Sequence, residues 1–185
     1  MSRLILFSGG VESTALLSIA DKSDYLMTIV FGNDFYAPSV DLVNSKKIAE
    51  MSGLNSVRVG LDLPRLDGMR FVHQLHQFIG ICHVLVQAYG FKEVWKGRNS
   101  SEPTEYTKPI YDKFFAAWSV LSPETPFLHP LDHLSKSEQL MLIPEKMRSL
   151  VVSCAVHKNY VNECKKCMER KAAEDESNRK FSSES

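Results

Sequence analysis

A chain of 185 residues, 44% of them hydrophobic, has room for one domain and a small appendage around an ordinary core. Its 22 lysines and arginines are balanced by 22 aspartates and glutamates, giving zero formal charge. A protein that grips a long nucleic-acid backbone normally carries a basic surplus, so a nucleic-acid partner is not expected. Met-Ser-Arg runs straight into an apolar strand, so a secretory leader is not expected. The longest apolar stretch, around Phe78 to Val86, carries Cys82 and His83 and is too short to span a bilayer. A cytoplasmic protein with no membrane partner is expected.

The periodicity predicts strands over 4–7, 25–31, 57–61 and 93–96, with a short fifth over 127–131. Helices are predicted between them over 11–21, 39–51, 69–89 and 109–121, with Gly53 and Gly90 as stops for the second and third. This alternation implies an α/β fold, a parallel five-stranded sheet with helices on both faces. In such sheets ligands bind beyond the carboxyl ends of the strands, where strand order reverses. The first and fourth strands should flank that point, so Ser8–Ser13 and Gly97–Asn99 should face one another. Ser135-Lys136-Ser137-Glu138 reads as a capping box opening a helix that Pro144 kinks or ends. From Lys171 onward the chain is charged and nearly devoid of large apolar residues, as a disordered tail would be. The expected organisation is a nucleotide-binding domain over 1–150, a metal-binding segment over 151–172 and a tail over 173–185.

Where the first strand meets the first helix, the sequence reads Phe7-Ser8-Gly9-Gly10-Val11-Glu12-Ser13-Thr14. Small residues in such a turn leave backbone N–H groups pointing outward, and only glycine lets backbone approach a phosphate without a Cβ in the way. Ser8, Ser13 and Thr14 add hydroxyls. No Gly-Lys-Ser/Thr follows, so this is not a Walker A loop, and the third glycine of the dinucleotide fingerprint is absent. A Gly-Gly pair alone is as often a plain turn. The full string placed directly after the first strand favours a phosphate site.

Cys154-Ala-Val-His157 and Cys164-Lys-Lys-Cys167 form two pairs, each spaced by two residues, across a short segment. Three sulfurs and one imidazole in that spacing suit a tetrahedral structural zinc, with no open position for water. Ordinary thiols, or a redox disulfide between Cys164 and Cys167, are the alternatives. Cys82, alone on an apolar helix, reads as a packed core residue.

The string Ser8-Gly9-Gly10-Val11-Glu12-Ser13 resembles the pyrophosphatase loop of ATP pyrophosphatases that activate substrates by adenylation, with Glu12 where that family usually has Asp. Together with Cys164-Lys-Lys-Cys167-Met-Glu-Arg170 it resembles 7-cyano-7-deazaguanine synthase over most of the chain. Thr125-Pro126-Phe127 followed by Lys136-Ser137-Glu138 resembles that family's segment whose lysine contacts nucleotide phosphates. Val94-Trp95-Lys96-Gly97-Arg98-Asn99 resembles its substrate-lining fourth-strand exit. The resemblance implies ATP and Mg²⁺ as cofactors, with Phe7, Ser8, Gly9, Gly10, Ser13, Thr14 and Gly97 around the nucleotide. It implies Lys136 and Glu12 as catalytic residues, Glu12 near Mg²⁺. Zn²⁺ would be held by Cys154, His157, Cys164 and Cys167. The implied reaction converts a 7-deazaguanine carboxylate and ammonia to the nitrile through adenylated intermediates, and a homodimer is compatible with it.

Three departures from that family stand out. Val161 occupies the position of its fourth cysteine. His73-Gln74-Leu75-His76 replaces a Gly-Arg-Asn run, and the stretch over 63–68 is shortened. Two other readings remain at this point: an adenylating enzyme acting on tRNA, and a nucleotide-binding module that has lost catalysis.

Overall fold

A computed structural model describes residues 2–31, 40–61, 74–105 and 107–151, with Lys171, Ala172, Asp175 and Arg179 beyond them. In chain order the elements are β1 (Arg3–Leu6), α1 (Val11–Ala15) with a 3₁₀ turn at Leu16–Ser18, β2 (Tyr25–Phe31) and α2 (Val40–Ser52). There follow β3 (Asn55–Leu61), α3 (Gln74–Tyr89), β4 (Glu93–Lys96), α4 (Lys108–Leu121), β5 (Phe127–Leu128), α5 (Lys136–Leu142) and α6 (Glu145–Arg148). The strands lie in the order β3-β2-β1-β4-β5 and every neighbouring pair is parallel. The order therefore runs away from β1 in both directions and reverses between β1 and β4. Leu6 stands in register with Lys96, so both strands empty side by side at that point.

Alternation along the strands divides the core into two layers. Ile5, Phe7 and Trp95 join Val11 and Ala15 of α1, Ile48 of α2, Leu140 of α5 and Met147 of α6. Leu4, Leu6 and Val94 join Cys82 and Val86 of α3 and Tyr111, Phe114 and Trp118 of α4. Both faces of the sheet are covered, which is why the inner strands are apolar at successive positions rather than at every second one. Cys82 packs in the second layer, and burial pushes its thiol up to about 12.

Among the described residues, three boundaries differ from the periodic reading by two residues or more. The first helix ends at Ala15 rather than 21: Leu16–Ser18 tighten, and the Ser18 hydroxyl donates to the Ala15 carbonyl at 2.7 Å. The chain must then return to β2, and buried Asp24 makes that turn by accepting from the amides of Arg3 at 2.9 Å and Asp21 at 2.8 Å. β3 begins at Asn55, two polar residues early, because an edge strand gains ladder bonds without needing apolar side chains. β5 stops at Leu128, since Pro130 has no amide to donate and His129 turns its ring to the Lys96 carbonyl. The first residues of the helix predicted over 69–89 lie outside the described residues. In the stretch read as a tail, Asp175 and Arg179 have helical backbone.

The capping box at the head of α5 is complete. Ser135 Oγ accepts from the Glu138 amide at 3.3 Å, and the Ser135 amide donates to Glu138 Oε2 at 2.8 Å. Replacing Ser135 by alanine should lower stability by about 1 kcal/mol, read as a shift of the urea midpoint at unchanged slope. Ile143 ends α5, and Pro144 becomes the cap of α6. Among the described residues no helix is long and apolar enough to cross a membrane.

Candidate functional site

The site is built where β1 empties. The Phe7 amide still donates to the Met27 carbonyl at 2.8 Å, holding the chain in the sheet for one residue beyond β1. Its side chain is buried in the first core layer, so Phe7 anchors the loop from below. Ser8 then leaves the sheet exposed to solvent. Gly9 follows at φ 78°, a left-handed conformation, and a Cβ there would lie 2.7 Å from the Ser45 Cβ of α2. Both the dihedral and the close packing require glycine. Gly10, extended, caps α1, and its carbonyl accepts from the Thr14 amide at 2.9 Å.

Ser13 closes this loop from inside. Its hydroxyl accepts from the Ser8 amide at 3.2 Å, lies 3.1 Å from the Ser8 hydroxyl and donates to the Gly10 carbonyl at 3.2 Å. The amides of Gly9 and Val11 donate to no acceptor among the described residues. Thr14 is fully buried, and its hydroxyl has no hydrogen-bond partner there. The residues read from sequence as one mouth thus divide. Ser8, Gly9 and Gly10 offer the rim, Ser13 shapes it, and Phe7 and Thr14 lie beneath it.

The exit of β4 lies against the back of this loop. A Cβ on Gly97 would fall 2.4 Å from the carbonyl carbon of Glu12 and 2.6 Å from the Ser13 nitrogen. Two residues on, buried Asn99 donates from Nδ2 to Glu12 Oε1 at 3.1 Å, while its own oxygen accepts from the Ser101 amide at 2.9 Å. Lys136, the first residue of α5, brings its Nζ within 3.3 Å of the same Glu12 oxygen. Three segments far apart in sequence therefore meet at one carboxylate. Burial raises the Glu12 pKa, but the Lys136 charge, its own backbone amide and Asn99 outweigh that and hold it below the usual glutamate range. Glu12 is thus an anion at neutral pH. An Asp at this position would end about 1.5 Å short of both donors, so the longer side chain is what reaches α5 and β4.

Side chains alternate along the β4 exit. Gly97 and Asn99 turn to α1, whereas Lys96 and Arg98 turn to α4. Lys96 Nζ donates to the Tyr111 hydroxyl at 3.0 Å. The Arg98 guanidinium lies 5.8 Å from the centre of the Tyr111 ring and pairs with Asp132. Fully buried Gln139 ties the segment down, donating to the carbonyls of Arg98 and Leu131, each at 2.7 Å. Tyr111, His129, Asp132 and Gln139 carry no motif, and nothing in the sequence reading singles them out. Their one signal is that they are polar residues interrupting otherwise apolar or turn sequence.

The carboxylate of Glu12, ionised and partly accessible, is chemically suited to Mg²⁺, a hard cation that prefers carboxylate oxygens. Cys154, His157, Cys164 and Cys167 all lie outside the described residues. Among the described residues no group of three His, Cys, Asp or Glu could hold a metal. His73 also lies outside, and His83, further along α3, meets the Ser122 hydroxyl at 2.9 Å.

The structure is similar to that of the U34-tRNA thiolase NcsA from Methanococcus maripaludis with its [4Fe-4S] cluster, with a TM-score of 0.58 and 15% identity. The likeness covers 96% of this chain and 65% of the thiolase chain, so this chain spans less than two thirds of that length. The fold is adenine nucleotide alpha hydrolase-like. At that identity the likeness is one of fold. No family model matches the chain, and no curated protein matches its sequence.

Proposed function

We propose that the protein is an ATP-dependent, AMP-forming carbon–nitrogen ligase. The observation that carries this reading is the meeting of Glu12, Lys136 and Asn99 at the β1–β4 reversal, beside a loop whose Gly9 and Val11 amides meet no acceptor among the described residues. Such a place combines donors for a polyphosphate with a cation beside the point where negative charge develops. The pyrophosphate portion of ATP lies on the rim formed by Ser8, Gly9 and Gly10, with Lys136 turned to it. Mg²⁺ bound at Glu12 would offset phosphate charge.

The acceptor is a carboxylic acid. Its oxygen attacks the α-phosphorus, the bond to the β-phosphate oxygen breaks and pyrophosphate leaves. Ammonia then attacks the acyl carbon, loses a proton and displaces AMP, giving an amide. A second ATP adenylates the amide oxygen, and loss of AMP with the nitrogen protons leaves the nitrile. The chain's part is to align the reactants and exclude water. The resemblance of the loop and of the 125–138 segment supports 7-carboxy-7-deazaguanine as the acid, and the spacing of the cysteines and histidine in 151–172 supports a structural zinc site there.

Incubation with ATP, Mg²⁺, ammonia and 7-carboxy-7-deazaguanine should give AMP and nitrile by mass analysis, with one AMP for each adenylation. The thiolase neighbour favours a second reading, in which the adenylated acceptor is a tRNA. AMP release that depends on tRNA and ignores the free acid would decide for it. No AMP with either acceptor would retire both.

A further inference from the structure

On the α4 side of the β4 exit the charges of the described residues do not cancel. Among the described residues Arg98 is paired with Asp132, whereas Lys96 meets only the Tyr111 hydroxyl and, at 3.4 Å, the Gly97 carbonyl. Among the described residues no carboxylate pairs with Lys96. His129 adds no charge: burial pushes its pKa down to about 4, aided by Lys96 and Arg98 against the pull of its hydrogen bond to Lys96 and of Asp132. It is therefore neutral, and its Nδ1–H donates to the Lys96 carbonyl at 2.8 Å.

Because the ammonium donates to the Tyr111 oxygen, the tyrosine hydrogen is left to point elsewhere, and it finds no acceptor among the described residues. The third N–H of Lys96 and the O–H of Tyr111 are then adjacent donors beside a positive charge that no carboxylate among the described residues offsets. That combination matches the two oxygens of a carboxylate. The neighbouring surface is aromatic. His129 stands edge-on to Tyr111 and Phe115 at 5.9 and 5.8 Å, and Tyr111 lies 6.2 Å from Phe115. Aromatic faces and edges suit a flat ring system.

We propose that Lys96 Nζ and the Tyr111 hydroxyl hold the acid group of the acceptor, a planar heteroaromatic carboxylate, on the α4 side of Gly97. This rests on the adenylating reading above and specifies which residues select its acid. The nucleotide loop and the acid site then lie on opposite sides of one residue of the β4 exit, Gly97. Lys96 serves the acid and not the nucleotide.

The test titrates the full chain with 7-carboxy-7-deazaguanine, with indole-3-carboxylate and with the neutral amide of each, and separately with ATP, by calorimetry. Wild type should prefer each acid it binds over its amide by about tenfold or more, the range of a charge-assisted hydrogen bond. Lys96→Gln should erase that preference and Tyr111→Phe should reduce it. Lys96→Arg should retain it, so the result does not depend on one variant folding. ATP affinity should stay within about twofold in all of them, far below the effect expected of a lost charged contact.

An acid preference that is absent in wild type or survives in Lys96→Gln overturns the proposal. So does a matching fall in ATP affinity, which would place Lys96 on the nucleotide. Preference for indole-3-carboxylate without binding of the deazapurine acid supports the anion site and retires the deazapurine substrate. ATP-dependent nitrile formation with no acid preference overturns the site and leaves the reaction standing.

Discussion

Gly97→Ala should destabilise the protein by about 3 kcal/mol and weaken ATP binding by at least about tenfold. The reason is geometric. The added carbon would sit 2.4 Å from the Glu12 carbonyl carbon and 2.6 Å from both the Glu12 oxygen and the Ser13 nitrogen. These are backbone atoms of the loop itself, so no rotamer change relieves the clash. Either β4 moves from β1, losing the register that places Leu6 beside Lys96, or the loop moves and takes Glu12 from Asn99 and Lys136. Gly80→Ala is the matched control. A Cβ there meets nothing within 4 Å, and in the interior of α3 it should add up to about 1 kcal/mol of stability. Denaturant unfolding and ATP calorimetry on the two variants check the pair. If Gly97→Ala behaves like Gly80→Ala, the β4 exit does not press on the loop and Gly97 has no part in shaping the nucleotide site.

Under the adenylating reaction proposed above, Lys136→Met should reduce AMP formation by about 10²–10³-fold, the loss expected when one charged stabiliser is removed from a developing anion. The fold should survive, because methionine keeps an unbranched stem at the head of α5 and Ser135 still caps the helix. A second effect separates this residue from a generic surface lysine. Glu12 is held below the usual glutamate range in the folded protein, with Lys136 the largest of the lowering influences. A carboxyl group lowered in that way contributes stability above its unfolded pKa, and the contribution is lost as pH falls through the folded value. Without Lys136, burial is opposed only by the backbone amide and Asn99. The Glu12 pKa should therefore rise, and the acid loss of stability should begin at higher pH than in wild type. Thermal melts across the acid range measure that shift. Turnover that persists in Lys136→Met, with an unmoved acid limb, would remove Lys136 from the site.

How much of the fold is legible in the sequence differs by level. The β2 and β4 limits and the α5 cap can be read directly, because each rests on alternation or on residues within one turn of each other. The place where strand order reverses is also legible, since a βα alternation admits few topologies. The end of α1 is not: Leu16, Leu17 and Ile19 continue a helical pattern, and only the need to meet Asp24 stops it. β5 is overdrawn by periodicity for a related reason, as His129 and Leu131 look like strand residues until Pro130 and the Lys96 carbonyl intervene.

For the site, the glycine string identifies the loop but not the orientation of its side chains. Ser8, Ser13 and Thr14 look alike in sequence, yet one is exposed, one ties the loop to itself and one is buried beneath it. The Glu12–Asn99 bond joins residues 87 positions apart, and nothing local to either announces it. Lys96 is visible in the sequence only as part of a strand exit. Its role on the α4 side depends on the parity of β4 and on where Tyr111 lands.

From residue order alone came what depends on neighbours in the chain: periodicity, glycine at the sharp turn, the reciprocal cap at Ser135, and hence an α/β sheet with a tight glycine loop after its first strand. The tertiary structure alone decided which charges confront one another. Glu12, Asn99 and Lys136 are brought together by packing between α1, β4 and α5, and electrostatic partners at such sequence separations are chosen by the closing of the core, to which no local pattern is sensitive.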